Sequence, residues 1–165
     1  MKWVSGDFVD LAHKHKATGI AFTANAVIMK KDDQYKLVMG AGAAKRIRDK
    51  FLGIDAKLAE EIVKNVNDYP EHTRQVKDYY LSYCDYDNLR IFAVQTKKHF
   101  KEAGDWDLTV QSLEQLANYI KHNPESKIIL NCPLINNGGF GDRIDEVKQM
   151  VENIFKDTKI LVSIL

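Results

Sequence analysis

The sequence predicts an α/β protein in which helices are layered on a sheet. Apolar runs of strand character, such as Ile20-Ala-Phe-Thr and residues 127–131, alternate with segments of helical periodicity. Two glycine-rich segments, Gly40-Ala41-Gly42 and Gly138-Gly139-Phe140-Gly141, each fall between an expected strand and an expected helix. Hydrophobic residues make up 45% of the 165 and charged residues 28%, the profile of a soluble globular chain with a real core. A single domain over 1–165 is expected, since no repeat, low-complexity tract or linker interrupts the chain.

A short strand over 2–4 opens the chain. Asp7 stands where a cap belongs, before a helix over 8–15 whose Phe8, Leu11 and Ala12 share one face. A buried strand over 20–23 ends at Asn25. Residues 29–35 are charged and turn-like, so an exposed loop or hairpin tip is expected there. Residues 37–39 form the next strand, and Gly40-Ala41-Gly42 leads into a helix over 43–51. Another helix covers 56–65, where Leu58, Ile62 and Val66 recur every fourth residue. Strands over 80–86 and 91–96 pair as a hairpin across Asp87-Asn88. A helix over 107–121 turns Leu108, Leu113, Leu116 and Ile120 inward and stops at Asn123-Pro124. A strand over 127–131, the second glycine loop, a helix over 144–155 and a buried strand over 159–164 complete the order.

Composition narrows the function classes. A formal net charge of +1 makes no electrostatic case for nucleic acid binding, and the run Lys45-Arg46-Ile47-Arg48 is expected to be a solvated helix face. No apolar run reaches membrane-spanning length, and the first residues lack the apolar core of a signal peptide. Cys84 and Cys132 are far apart, without metal or redox spacing, so reduced thiols and a cytoplasmic location are expected. His13 and His15 are two apart on a helix and cannot face one ion together. No metal and no cofactor are expected.

The glycines point to an anion. At a strand–helix junction, Gly40 and Gly42 remove side chains where backbone N–H groups and a positive helix start can meet a phosphate. Lys45 stands where a dinucleotide fingerprint needs its third glycine, and no Walker Gly-Lys-Ser/Thr follows. In the second segment, Phe140 either offers its face to a sugar or base, or anchors the turn in the core. Asn25 has an amide suited to vicinal ribose hydroxyls, and also suited to a turn or cap. Asp7 either only caps its helix or also accepts from an exocyclic amine. In open α/β sheets such residues collect beyond the carboxyl ends of the strands, where both junctions are expected.

With these residues in view, the chain resembles a macro domain, the ADP-ribose-binding α/β/α module. The likeness is to the branch of the terminal ADP-ribose protein glycohydrolase and related phage and bacterial proteins. It is carried by Gly6-Asp7-Phe8, Asn25, Val38-Met39-Gly40-Ala41-Gly42-Ala43-Ala44, Phe51-Leu52-Gly53 and Ala93-Val94-Gln95-Thr96-Lys97-Lys98. Residues 112–116, Pro133 and Gly138-Gly139-Phe140-Gly141 extend it over nearly the whole chain. The resemblance implies a three-layer α/β/α fold with a central mixed, mostly parallel sheet. It implies that Asp7 holds the adenine amino group, helped by the backbone near Phe8, and that Asn25 contacts the terminal ribose. It further implies that Gly40 and Gly42 line that ribose and the diphosphate. Asn137, Gly138, Gly139, Phe140 and Gly141 would wrap the diphosphate from the other side, with Phe140 near the sugar.

In the glycohydrolase branch a lysine attacks the anomeric carbon and an aspartate assists. Lys97 matches that lysine through Thr96-Lys97-Lys98. An ungapped match from Pro133 puts Phe140 at the aspartate position, with Asp142 displaced nearby. The approach Asn131-Cys132-Pro133-Leu134 lacks the branch's Gly-Cys-Gly character. The stretch between Asn65 and Tyr86, bearing Tyr69, Tyr79, Tyr80 and Tyr83, is longer than expected and either covers the site or is only a tyrosine-rich hairpin. With Leu165 directly after the last expected strand, no later residue is expected to stack on the adenine.

The resemblance therefore implies a monomer that binds ADP-ribose or an ADP-ribosylated substrate, with nucleic acid only as a modified substrate. Hydrolysis of ADP-ribosyl linkages or of ADP-ribose 1″-phosphate, through Lys97 and Asp142, is one extension. The alternative is a non-catalytic interaction protein that keeps the fold without ligand turnover.

Overall fold

The computed structural model describes residues 1–132 and 140–164. Along them the order is β1 (Lys2–Ser5), α1 (Phe8–Lys14), β2 (Gly19–Ala24), β3 (Val27–Lys31), β4 (Gln34–Leu37), α2 (Gly42–Lys50) and α3 (Ile54–Val66). Then follow β5 (Arg74–Gln75), β6 (Leu81–Tyr86), β7 (Leu89–Gln95), α4 (Trp106–His122), β8 (Ile128–Asn131), α5 (Ile144–Phe155) and β9 (Leu161–Ile164). Strands β1, β9, β8, β2 and β7 lie side by side and parallel, and β6 closes one edge antiparallel to β7. The expected mixed, mostly parallel sheet is therefore present.

Parallel strands buried on two faces read as nearly continuous apolar runs, and the period of two sorts them. Ile20 and Phe22 of β2, Ile91 and Ala93 of β7, and Ile129 of β8 pack with the buried residues of α1, α2 and α3. Their alternates Ala21, Phe92, Val94, Ile128 and Leu130 pack with those of α4 and α5. The sheet is thus the middle of three layers. Among the described residues no helix is long and apolar enough to cross a membrane.

The charged segment after β2 departs from expectation. Residues 29–35 are not simply a loop: β3 and β4 pair antiparallel across Asp32-Asp33, and β5 adds to β3 as a second, three-stranded sheet. The tip does turn there, with Asp32 and Asp33 at φ 52° and 62°, the left-handed pair of a tight hairpin. Lysines mask the strands in the sequence because this sheet is short and exposed at its outer end. Lys30 lays its ammonium 4.5 Å from the centre of the Tyr35 ring. In consequence the strand ends at Leu37, and Val38 and Met39, expected within it, continue past it.

The long stretch after α3 is partly the third strand of that sheet and partly core. Beyond β5, the Val76 N–H donates to the Ala26 carbonyl at 2.9 Å. Tyr83 packs on Phe92 and Tyr119, with ring centres 5.2 and 5.4 Å away. Tyr86 meets the Phe51 ring edge-on.

Gly19 tests how tightly the central strand is held. A Cβ there would lie 2.9 Å from the Phe92 ring, 3.2 Å from the Arg90 carbonyl oxygen and 3.3 Å from Ile128 Cγ1. Gly19→Ala should destabilise the fold by about 1–3 kcal/mol, lowering the melting temperature by several degrees. A wild-type melting curve would mean that the neighbouring strands give way.

Candidate functional site

The carboxyl ends of the parallel strands gather at one edge of the sheet, and several of the expected site residues follow them closely. Asp7 comes just after β1, Asn25 just after β2, and Lys97 two residues after β7. Asn137, Gly138 and Gly139 lie outside the described residues. Gly40 and Gly42, expected beyond the carboxyl end of a strand, follow β4, which belongs to the three-stranded sheet and not to the central one.

Asn25 is what brings that junction to the edge. It is buried, its Oδ1 accepts the Val27 N–H at 2.8 Å, and its Nδ2 donates to the Val38 carbonyl at 3.0 Å. The Tyr79 hydroxyl donates to the Asn25 carbonyl at 2.6 Å, and burial drives that phenol well above its ordinary range. The amide therefore serves the turn role that its type suggests. One hydrogen of Nδ2 and one lone pair of Oδ1 would remain for a ligand.

Past Val38 the chain opens. Among the described residues, a Cβ on Gly40 or on Gly42 would meet nothing within 4 Å, and Gly42 sits at φ 58° as the first residue of α2. Ala41 offers no side-chain oxygen to the first amides of α2, whereas Asp7 caps α1 and Asp105 caps α4. The start of α5 is similar: Arg143 makes no side-chain cap, and Gly141 before it is left-handed with no described residue within 4 Å of its Cβ position. Among the described helices α3 also starts without a side-chain cap, at Gly53. The starts of α2 and α5 thus combine uncapped amides with unfilled glycines, the arrangement that suits an anion.

Asp7 is doubly engaged. Its Oδ1 accepts from the Val9 and Asp10 amides at 3.0 and 2.9 Å, and both its oxygens meet the Arg46 guanidinium. Partial burial pushes the Asp7 carboxyl up, but Arg46 and the two amides outweigh it and hold the group below the usual carboxylate range. Phe8, next along, is a core residue with 4% exposure, so only its backbone is placed to serve a ligand. The basic run of α2 is accordingly mixed. Lys45 pairs with Asp49 one turn on, as a solvated face would, but Arg46 crosses to α1.

At the end of β7 lies a polar lattice that the sequence did not single out. Gln95 is fully buried, and its Oε1 accepts from the Tyr79 and Tyr80 amides. Its Nε2 donates to Asp78 and, at 3.4 Å, to the Lys97 carbonyl. Lys98 pairs with Asp78 at 3.4 Å. Lys97 is half-buried, and burial pulls its ammonium below the ordinary lysine range. An Ala-Val-Gln-Thr run at a strand end gives no local sign of this lattice, because its partners lie some 16 residues away.

Phe140 takes the core-anchoring role. It is 9% exposed and meets Trp106 edge-on, with ring centres 5.3 Å apart. Arg143 covers the same indole at 4.2 Å and bonds Glu146. Asp142 is exposed and does not cap α5.

Two measurements check this site as a scaffold. Asn25→Ala leaves the buried Val27 N–H and the Val38 carbonyl without their partner, so urea unfolding should show a loss of about 2–3 kcal/mol. Asp7 has a folded pKa below its unfolded value, so its stabilising effect is complete above the unfolded value. The stability difference between wild type and Asp7→Asn should be flat above about pH 5 and close as pH falls through the folded pKa. A difference that grows in acid would contradict the ion pair.

No protein-family model matches the sequence, and no curated protein matches it. Solved structures do. The DarG macrodomain of Thermus aquaticus superimposes over 99% of this chain and 97% of its own, with a TM-score of 0.74 and 19% identity. The DarG macrodomain of Mycobacterium tuberculosis does so over 98% and 95%, with a TM-score of 0.72 and 18% identity. The DarTG structure of Thermosipho africanus in complex with ADP-ribose matches 99% of this chain with 41% of its length, at a TM-score of 0.71 and 13% identity. Sequences this far apart share architecture, and on that architecture this chain has the macrodomain fold.

Proposed function

We propose that the chain binds ADP-ribose or a close derivative at the carboxyl edge of its sheet. The observation that carries this is the space that the described residues leave open over Gly40 and Gly42, at a start of α2 that has no side-chain cap. Backbone amides there would meet the diphosphate without any basic patch, which suits a chain of net charge +1. Gly141 and the uncapped α5 would face it from the second segment. Asp7 would take the adenine amino group, with the Phe8 backbone beside it, and the remaining donor and acceptor of Asn25 would serve the ribose. Asn137, Gly138 and Gly139 complete the second segment in this proposal. The solved structure of DarTG in complex with ADP-ribose, 41% of whose chain matches this fold, supports the choice of ligand.

Calorimetric titration with ADP-ribose tests it, with saturable binding expected for the wild type. Gly42→Val fills the open space and strains a left-handed position, so affinity should fall at least about tenfold while the protein stays folded. Wild type giving neither heat nor a thermal shift at millimolar ADP-ribose would overturn the proposal.

A second proposal, hydrolysis of an ADP-ribosyl linkage, is favoured by Lys97. Lys97 is half-buried, and burial lowers its pKa, the direction that favours the free, nucleophilic amine. Its amine would add to the anomeric carbon as the bond to the acceptor breaks, the acceptor would leave with the proton, and water would release the sugar. Asp142, exposed at the second segment, would be the assisting carboxylate. Turnover of ADP-ribosylated protein or nucleic acid, or of ADP-ribose 1″-phosphate, should fall at least about a hundredfold in Lys97→Ala with ADP-ribose affinity kept. Unchanged turnover in that variant removes the lysine mechanism.

A further inference from the structure

Arg46 is a charged residue whose role a solvated helix face does not explain. It sits on α2, yet its Nε donates to Asp7 Oδ2 at 3.0 Å and its Nη2 to Asp7 Oδ1 at 3.1 Å. The same Nη2 reaches Asp10 Oδ1 at 3.1 Å. This is a two-point clamp, and a planar guanidinium forms it where an ammonium cannot. The side chains of Arg46 and Asp7 are each only about a third to a quarter exposed (35% and 26%).

The clamp divides the two carboxylate oxygens. Oδ1 accepts three donors, from Val9, Asp10 and Arg46, and is saturated. Among the described residues Oδ2 takes only the Arg46 Nε, which leaves it one lone-pair direction. An ionised carboxylate accepts but does not donate. The open direction therefore suits an amino group on a base and opposes an oxo group at the same place. The other charges around the pair are Asp10 on α1 and Asp49 on α2. Asp49 is itself held by Lys45 and Arg48, so Arg46 is the cation that faces Asp7.

We propose that Arg46 is a positioning residue for base selection: by clamping Asp7 it aims Oδ2 at the exocyclic amine and makes the site prefer adenine to hypoxanthine. This rests on the proposed ADP-ribose site and adds to it the residue that sets the choice of base. Removing the guanidinium leaves the carboxylate held only through Oδ1, by the Val9 and Asp10 amides, so Oδ2 loses the bond that fixes its direction. An acceptor that is no longer aimed gives an amino group little advantage over an oxo group.

The test compares the affinities of ADP-ribose and its inosine counterpart for wild type, Arg46→Ala and Arg46→Lys. Circular dichroism and thermal melting confirm that each variant is folded. Wild type should prefer ADP-ribose by roughly tenfold, the scale of one hydrogen bond to a charged group. In Arg46→Ala the ADP-ribose affinity should fall until the two ligands bind about equally, while the inosine compound binds as it does to wild type. Arg46→Lys keeps the charge without the two-point grip and should recover only part of the preference. It also supplies the answer should the alanine variant fail to fold. A wild-type preference surviving in the folded variants, or equal loss for both ligands, overturns the role of Arg46 and leaves the ADP-ribose site standing. Wild type binding neither ligand overturns both.

Discussion

The constraint on which the rest of this site depends is the hydrogen bonding of one buried amide. Asn25 closes the central strand of the sheet and uses one side chain for two backbone partners, Val27 N–H and the Val38 carbonyl. Those partners stand on either side of the β3–β4 hairpin, so the amide pins the base of the second sheet to the edge of the first. The Tyr79 hydroxyl on the Asn25 carbonyl adds the stretch that follows α3 to the same knot. A polar group this far from water is costly unless every bond is made. Its satisfaction is what brings Gly40 and Gly42, two residues and more beyond Val38, to the carboxyl edge.

Around that knot, charge is kept in local pairs. Asp7 meets Arg46, Asp78 meets Lys98 and Asp68 meets Arg74. The outer pairs are solvated and contribute little to stability. The starts of α2 and α5 carry no side-chain cap, so their first amides offer an anion the positive end of a helix. Lys97 is a cation partly withdrawn from water beside a fully buried glutamine that holds its backbone carbonyl. Gln95 therefore joins the strand end, the 78–80 segment and the lysine into one unit.

Phe140 shows how residue type alone leaves roles open. An aromatic ring among glycines suits both a sugar face and a core anchor, and neighbouring residues in the chain do not distinguish them. Trp106, more than 30 positions earlier, fills the space beside the ring and makes it an anchor. The same holds for Arg46. Local spacing places it in a basic helical run, and Lys45 behaves as that run suggests, because its partner is one turn away on the same helix. Asp7 is 39 residues distant, and no periodicity can announce it.

By itself the sequence determined the central sheet, the helices against it, and the two glycine segments between strands and helices. These follow from local periodicity: the helix at 144–155 matches α5 residue for residue, and Asp87-Asn88 turns the β6–β7 hairpin as its composition requires. It determined too that Asp7 and Asn25 would end strands, since caps and turns are chosen by residue type. Only the tertiary structure decided what their side chains do there. The second sheet was hidden because its strands are short and rich in lysine, and it exists through pairing between β3 and β5, which lie more than 40 residues apart. Hydrogen bonds and ion pairs act over a few ångströms whatever the separation along the chain. The glycine junction could therefore be read from its neighbours, whereas its place at the sheet edge required the fold that carries Val38 back to Asn25.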